Sequence, residues 1–240
     1  IDVLAIHKTR KFLRSELAKK LQPEFENTYH NFQNEGTFKI DHQSMGRRSL
    51  KNLCLSYLSE LGSLEIRKLA LAQFRKNENM TDVAGALGVL THIDCEERKV
   101  VFKEFEKKWG KNKLVMDKWF ALQAISSLPQ TLDNVKVLTN HQAYEKNNPN
   151  KIRALISTFS RFNQLRFHAT DGSGYEFLAD QVLRLDTLNP QTAARLVSVF
   201  NNWKNYAVVH KTKMNDQLQR ILKIPNLSGD VFEIVSKALD

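Results

Sequence analysis

The sequence predicts an all-α protein built as an irregular α-solenoid, in which antiparallel helix pairs stack side by side. Apolar residues recur at helical spacing along almost the whole chain, whereas the strict alternation typical of a half-buried strand is nearly absent. Short intervals separate the breaks at glycine, proline and asparagine, and these breaks divide the chain into about a dozen helices. Because no heptad pattern dominates, stacked helix pairs are favoured over a four-helix bundle.

The apolar positions mark helices from one end of the chain to the other. In chain order, the clearest sets are Leu13, Leu17 and Leu21; Leu50, Cys54, Tyr57, Leu58 and Leu61; Ile152, Leu155, Ile156 and Phe159; and Val231, Ile234, Val235 and Ala238. Asn148-Pro149 and Asn189-Pro190 are the firmest predicted helix starts, since each places a capping side chain directly before a proline at the first helical position. No regular sequence repeat is present, so we expect one continuous helical domain over residues 1–240.

Composition limits the function classes. With 240 residues and 42% hydrophobic content, the chain is long and apolar enough to fold around a core. It opens at Ile1 rather than Met, which favours a larger parent protein. No window approaches the roughly 18 uninterrupted apolar residues of a membrane-spanning helix, so we expect a soluble chain without a membrane partner. Cys54 and Cys95 fit buried free thiols better than a disulfide or a zinc pair.

The net charge of +10 raises the possibility of nucleic-acid binding. The basic residues are, however, spread along many segments and interleaved with acids, as in the run from Glu104 to Lys108. No basic motif interleaved with aromatic residues appears, so we expect no nucleic-acid partner.

No catalytic or metal motif is recognisable. None of the seven histidines is followed by glutamate, which excludes the His-Glu-x-x-His pattern of zinc hydrolases. The glycines at 172 and 174 fit neither a nucleophile elbow nor a phosphate-binding loop. We therefore expect no catalytic residue, no metal ligand and no cofactor site in this chain. His168 is interpreted as a packed structural histidine, and Asp171 as the cap of a helix that begins near Gly174.

Arg153 and Arg195 are the candidate binding residues. Each follows an Asn-Pro helix start and lies next to an apolar stripe, beside Ile152 and Leu196 respectively. Either guanidinium could reach along a groove between helices. Taken alone, the sequence also allows an interhelix ion pair or a side chain whose stem packs on apolar surface while its charge stays in water.

Four segments in the second half of the chain carry a family signature: Asn148 to Ile156, Phe167-His168-Ala169, Asp171-Gly172-Ser173-Gly174-Tyr175 and Asn189-Pro190-Gln191-x-Ala193-x-Arg195. In this order they resemble the C-terminal helical domain of the M1 zinc aminopeptidases, in the bacterial aminopeptidase N (alanyl aminopeptidase) branch. Further segments resemble the same family in the same order: 48–55, 79–82, 114–120 and 226–230. The resemblance covers essentially the whole chain.

This resemblance implies a HEAT- or armadillo-like superhelix that forms most of the C-terminal domain of a larger cytoplasmic enzyme. In such a parent, zinc and the catalytic residues belong to a separate catalytic domain, which would be the partner of this one. The helical domain would cap the active-site chamber and line the channel for the peptide substrate, and Arg153 and Arg195 would stand where the family has channel-lining arginines. The alternative is a free-standing helical scaffold that binds a peptide or protein in its concave face.

Overall fold

The computed structural model describes residues 1–33, 38–76 and 78–240, and these residues contain helices and no strand. The all-α prediction is therefore confirmed. The α-helices are α1 (Val3–Lys20), α2 (Gln22–Asn31), α3 (His42–Leu58), α4 (Leu64–Lys76), α5 (Met80–Leu90), α6 (Glu96–Trp109), α7 (Lys113–Ala124), α8 (Thr131–Leu138), α9 (Pro149–Ile152), α10 (Thr158–Phe162), α11 (Gln164–Phe167), α12 (Ser173–Asp186), α13 (Pro190–Val197), α14 (Val208–Leu222) and α15 (Gly229–Leu239).

Two 3-10 helices and one π-helix complete this secondary structure. The 3-10 helices cover Ser59–Leu61 and Ser198–Asn205, and the π-helix covers Arg153–Ser157. The π-helix joins α9 to α10 without a break, so the single helix that the sequence predicts after Asn148 contains a change of helical pitch.

Both Asn-Pro helix starts are confirmed. The side-chain oxygen of Asn148 accepts a hydrogen bond from the backbone N–H of Asn150, and that of Asn189 accepts one from Thr192, each at 3.0 Å. Each proline occupies the first helical position, where an N–H group would have no partner within the helix.

The chain forms two compact units. The N-terminal unit comprises residues 6–112, and the C-terminal unit comprises residues 1–5 and 113–240. In the N-terminal unit α2 packs on α3, α4 packs on α5, and α6 contacts both α4 and α5. Its core includes Leu55, Leu58, Leu87, Leu90 and Phe105.

Cys54 and Cys95 are buried in the N-terminal unit and are free thiols, as predicted. Burial raises the pKa of both thiols, which keeps them protonated and unreactive at neutral pH. The same unit buries the ion pair of Lys51 and Asp82, in which Lys51 Nζ lies 2.7 Å from Asp82 Oδ2.

In the C-terminal unit α7 packs on the π-helix, α12 packs on α13 and α14, and α15 contacts α13 and α14. Aromatic rings fill its centre, where Phe167 makes edge contacts with both Phe159 and Tyr175. Helix α12 buries Leu178, Val182 and Leu185 at helical spacing. Among the described residues, no helix is both long and apolar enough to cross a membrane.

Candidate substrate-contact site

Arg153 is the first residue of the π-helix and its side chain is exposed. Its neighbours Ile152, Ala154, Leu155 and Ile156 are buried, so they fix the backbone on which the arginine stands. The guanidinium Nη2 donates a hydrogen bond of 2.9 Å to Asn150 Oδ1, one turn earlier. This contact holds the side chain against its own helix and leaves other N–H donors for a ligand.

The π-turn centres on the carbonyl of Arg153. The backbone N–H of Thr158 bonds to this carbonyl five residues back, and the Thr158 hydroxyl donates to it as well, at 3.1 Å. One extra residue in a helical turn changes the direction of the side chains that follow, and such turns are frequent at functional sites. The periodicity of the sequence contains no signal for this feature.

Lys151 anchors the helix that carries Arg153. Its side chain is only 2% exposed, and its ammonium donates to the carbonyl of Lys113 at 2.6 Å and to Asp117 Oδ1 at 2.7 Å. Because Lys113 and Asp117 belong to α7, the contact ties the start of α9 to that helix. Sequence reasoning missed this role, since lysine is rarely buried without a partner and that partner lies 34 positions earlier.

Arg195 lies on α13 and is exposed, while Ala193, Leu196 and Val197 on the same helix are buried. Its carbonyl accepts a 2.7 Å hydrogen bond from Nη2 of Arg161, which also donates to Ser198 Oγ at 2.9 Å. Arg161 thus joins the end of α10 to the end of α13. Through Arg161 the structure joins the two helical segments that carry Arg153 and Arg195, and no described hydrogen bond connects the two guanidinium groups directly.

The interhelix ion pair considered for the two arginines is not formed among the described residues. The bond from Arg153 goes to a neutral amide, and the Arg195 side chain has no described hydrogen bond or ion pair. Residues 149–170 contain Lys151, Arg153, Arg161 and Arg166 and no aspartate or glutamate. Once Asp117 has neutralised Lys151, this segment remains positively charged, which favours an anionic or carbonyl-bearing ligand.

A buried chain of hydrogen bonds supports the elements around the site. His168 Nδ1 lies 2.7 Å from the Tyr175 hydroxyl, and that hydroxyl lies 3.0 Å from His210 Nδ1. The phenol has one hydrogen, so at most one imidazole accepts it and the other donates its own N–H. Tyr206 stacks on His168 with ring centroids 4.5 Å apart. The interpretation of His168 as a packed structural residue agrees with this burial.

The loop before α12 is shaped by Asp171 and two glycines. The Asp171 carboxylate accepts hydrogen bonds from the backbone and hydroxyl of Ser173, and these donors lower its pKa. The helix begins at Ser173 and Gly172 occupies the N-cap position, so the prediction of Asp171 as the cap residue is wrong by one position; its carboxylate bonds to the first helical residue from just before the cap. Gly172 has a φ of 83°, and a Cβ on Gly174 would stand 2.3 Å from the carbonyl oxygen of Phe167. Only glycine allows this approach of α12 to α11.

The described residues contain no group of three or more His, Cys, Asp or Glu side chains that could hold a metal ion. The exposed guanidinium groups can bind and orient an anionic or carbonyl-bearing ligand.

Comparison with known proteins places the chain in a family. The family model described as "Domain of unknown function (DUF3458_C) ARM repeats" matches residues 1–240. The chain belongs to this family. The match to ARM repeats confirms the predicted helical-repeat fold and covers both compact units.

The relatives are aminopeptidases. Aminopeptidase N of Caulobacter vibrioides is 40% identical over 238 residues, which are 99% of this chain and 28% of the relative. Aminopeptidase N of Escherichia coli is 37% identical over 241 residues, covering 100% of this chain and 27% of the relative. The crystal structure of Legionella pneumophila aminopeptidase A in complex with aspartic acid matches 98% of this chain and 28% of its own, with a TM-score of 0.90 and 31% identity.

These matches confirm the resemblance inferred from the sequence motifs. The chain spans just over a quarter of the length of these relatives, and it corresponds to a C-terminal domain of an aminopeptidase.

The contrast between Lys151 and the two arginines leads to a stability prediction. Lys151→Ala leaves Asp117 without its partner and is expected to lower the free energy of unfolding by about 3 kcal/mol. Arg153→Ala and Arg195→Ala remove exposed side chains and are expected to change it by less than about 0.5 kcal/mol. Denaturant unfolding of the three variants measures both effects. Equal losses for all three would contradict the assignment of Lys151 as the anchor.

The buried histidines lead to a pH prediction. Burial, reinforced by the nearby His210, lowers the pKa of His168 from 6.5 to about 3. Below about pH 6.5 the unfolded chain therefore takes up a proton on this histidine, which the folded chain excludes. The contribution of neutral His168 to the free energy of unfolding is complete above that pH and is lost as the pH falls towards 3. His168→Asn keeps a polar group near the Tyr175 hydroxyl and removes this proton uptake.

As the pH falls from 6.5 to 4, the free energy of unfolding of His168→Asn is expected to decrease less steeply than that of the unaltered protein. The difference between the two slopes is expected to reach up to about 1.4 kcal/mol per pH unit. Denaturant titrations at several pH values give the slopes, with His42→Asn as the variant at an exposed histidine. A slope equal to that of the unaltered protein would contradict the account.

Proposed function

We propose that residues 1–240 form most of the non-catalytic C-terminal domain of a zinc-dependent aminopeptidase of the aminopeptidase N type. The domain caps the active-site chamber of the parent enzyme and lines the channel through which peptides reach it. The observation that carries this proposal is the match of the whole chain to about 28% of the aminopeptidase relatives, combined with a positively charged helical site that has no catalytic groups among the described residues.

The catalytic domain of the same parent polypeptide is then the principal partner. In such a parent, that domain would hold the zinc ion and the general base, and the zinc would supply an activated water for hydrolysis of the N-terminal peptide bond. The residues described here would bind and orient the part of the peptide that lies away from the metal. We place the parent in the cytoplasm, where it would remove N-terminal residues from peptides.

Arg153 and Arg195 are proposed to contact the substrate. An aminopeptidase holds the free amine of its substrate at the metal, so the carboxylate of a short peptide points away from it. A guanidinium fork matches that carboxylate or the peptide carbonyls. Three features support the role: both side chains are exposed, both backbones are fixed by buried neighbours, and residues 149–170 have no competing carboxylate.

In the parent enzyme, the Arg153→Ala/Arg195→Ala double variant is expected to lower kcat/KM for a short peptide by about tenfold, equivalent to about 1.4 kcal/mol. The same peptide with an amidated C-terminus is expected to lose less, because the charge that the guanidinium groups bind is absent. A single-residue chromogenic substrate is expected to react at an unchanged rate, since it does not extend to the site. Steady-state kinetics with the three substrates measure the effect.

Arg47→Ala provides the control, because Arg47 is also exposed but lies on α3 in the N-terminal unit. Its kcat/KM is expected to equal that of the unaltered enzyme for all three substrates. Equal losses of the double variant on the peptide, on its amide and on the chromogenic substrate would show that the arginines do not contact the distal end of the peptide.

A further inference from the structure

A cavity of about 200 Å³ lies within the N-terminal unit. Tyr29 of α2, Lys51 of α3, Gln73 of α4 and Asp82 of α5 line it, and each of these residues is less than 10% exposed. Pockets for drug-sized ligands have volumes of roughly 300–1,000 Å³, so this cavity suits a smaller molecule. We call it the α2–α5 cavity.

Lys76 and Glu78 mark the mouth of the α2–α5 cavity. Both residues line it, and their side chains are 46% and 50% exposed. Lys76 Nζ lies 3.2 Å from the Glu78 carboxylate and donates a hydrogen bond of 3.0 Å to the carbonyl of Gln33. Because an exposed ion pair is weak, a ligand can replace Lys76 as the partner of Glu78.

The uncharged side chains of the floor are held by hydrogen bonds to one another. The Tyr29 hydroxyl donates to Gln73 Oε1 at 2.9 Å. Gln73 Nε2 donates in turn to Asn52 Oδ1 at 2.7 Å and to the carbonyl of Asp82 at 2.8 Å. Both amide hydrogens of Gln73 are therefore used, and the floor is fixed before any ligand arrives.

The ammonium of Lys51 is the group on the floor with unused donors. It carries three N–H bonds and donates one hydrogen bond, of 2.7 Å, to Asp82 Oδ2, with no second partner among the residues that the structure describes. The Asp82 carboxylate, by contrast, also accepts from Asn52 and Asn79, at 3.1 and 2.9 Å. A buried N–H without an acceptor is costly, so the cavity must supply one. Water can do so, and a carboxylate does so with the opposite charge.

The charges of the lining limit the kind of ligand. Lys51 and Lys76 are positive and Asp82 and Glu78 are negative, so the lining is neutral as a whole. A simple anion would add a negative charge without a counter-charge, which is unfavourable away from bulk water. A zwitterion keeps the cavity neutral, because its carboxylate meets Lys51 at the floor and its ammonium meets Glu78 at the mouth.

We propose that the α2–α5 cavity binds a small zwitterion of the free amino acid class. The ligand carboxylate accepts hydrogen bonds from Lys51, and the ligand ammonium pairs with Glu78. Ala72 and the ring of Tyr29 are the main apolar parts of the lining, so an amino acid with a small side chain fits best.

The test is hydrogen exchange of the parent enzyme, measured by mass spectrometry with L-alanine as the probe. Binding opposes local opening of the segments that line the cavity. L-Alanine at ten times its dissociation constant is therefore expected to slow their exchange about elevenfold. The protected peptides are expected to cover 27–33, 49–53, 72–76 and 78–82. Unchanged exchange in all four segments up to the solubility limit of L-alanine would show that the cavity holds water only and would overturn the proposal.

Two analogues of L-alanine separate the contributions of its charges. Propionate keeps the carboxylate and lacks the ammonium, whereas ethylamine keeps the ammonium and lacks the carboxylate. Each analogue loses one charge-assisted contact, so its affinity is expected to be at least about tenfold lower. Equal affinities of propionate and L-alanine would assign the cavity to simple anions and contradict a zwitterionic ligand.

Substitutions locate the bound ligand. Lys51→Met removes the ammonium, and Ala72→Phe fills part of the cavity without changing a charge, so each is expected to abolish the protection. Lys51→Met also takes the counter-charge from Asp82 and lowers stability, and Ala72→Phe decides the question if that variant does not fold. Protection that persists in Ala72→Phe would place the ligand elsewhere and overturn the proposal.

Matched controls lie in the same unit. Lys103→Met removes an exposed cation from α6, and Ala84→Phe enlarges a half-buried alanine of α5 that does not line the cavity. Both are expected to keep the protection by L-alanine. The readout needs no activity and lies in the N-terminal unit, whereas Arg153 and Arg195 lie in the C-terminal unit and are tested by substrate kinetics. Failure of this proposal is therefore distinguishable from failure of the proposed function.

Discussion

The proposed site depends on the buried ammonium of Lys151. A lysine that is 2% exposed must be paired, and the carbonyl of Lys113 and the carboxylate of Asp117 satisfy it from α7. The contact fixes the first turn of α9 against a neighbouring helix, two residues before Arg153. Because buried side chains hold the π-turn that follows, the exposed guanidinium stands on a backbone with little freedom, which reduces the entropy lost when it binds a ligand.

Three neighbouring cations have three different roles. Lys151 is neutralised and structural, Arg161 ties the end of α10 to α13, and Arg153 retains donors that face solvent. Arg195 joins Arg153 as a cation without a described ion partner. The fixed positive charge of Arg153 and Arg195 supports the proposed role, in which this domain holds part of a substrate. That role is compatible with a chain that matches only part of each aminopeptidase relative.

Part of the fold and of the candidate site was predictable from the sequence, because it depends on interactions between residues close together in the chain. The Asn148 and Asn189 caps, the all-helical fold and the position of Arg153 and Arg195 next to buried apolar residues follow from capping preferences and apolar spacing. Two contacts were not predictable, because they join residues far apart in sequence that apolar periodicity does not connect. One is the ion pair of Lys151 with Asp117, and the other is the series of hydrogen bonds from His168 through Tyr175 to His210. The π-turn depends on tertiary packing and on the Thr158 hydroxyl, so its place in the helix also required the structure.

The most direct test of the central claim is to locate the distal end of a bound peptide in the parent enzyme. A slowly hydrolysed short peptide with a photo-reactive group at its C-terminal residue would be irradiated in the complex, and the labelled residues identified by mass spectrometry. The account predicts labels within 149–162 and 190–198, the segments that carry Arg153 and Arg195, with competition by unlabelled peptide. Labels confined to parts of the parent outside this chain would contradict it.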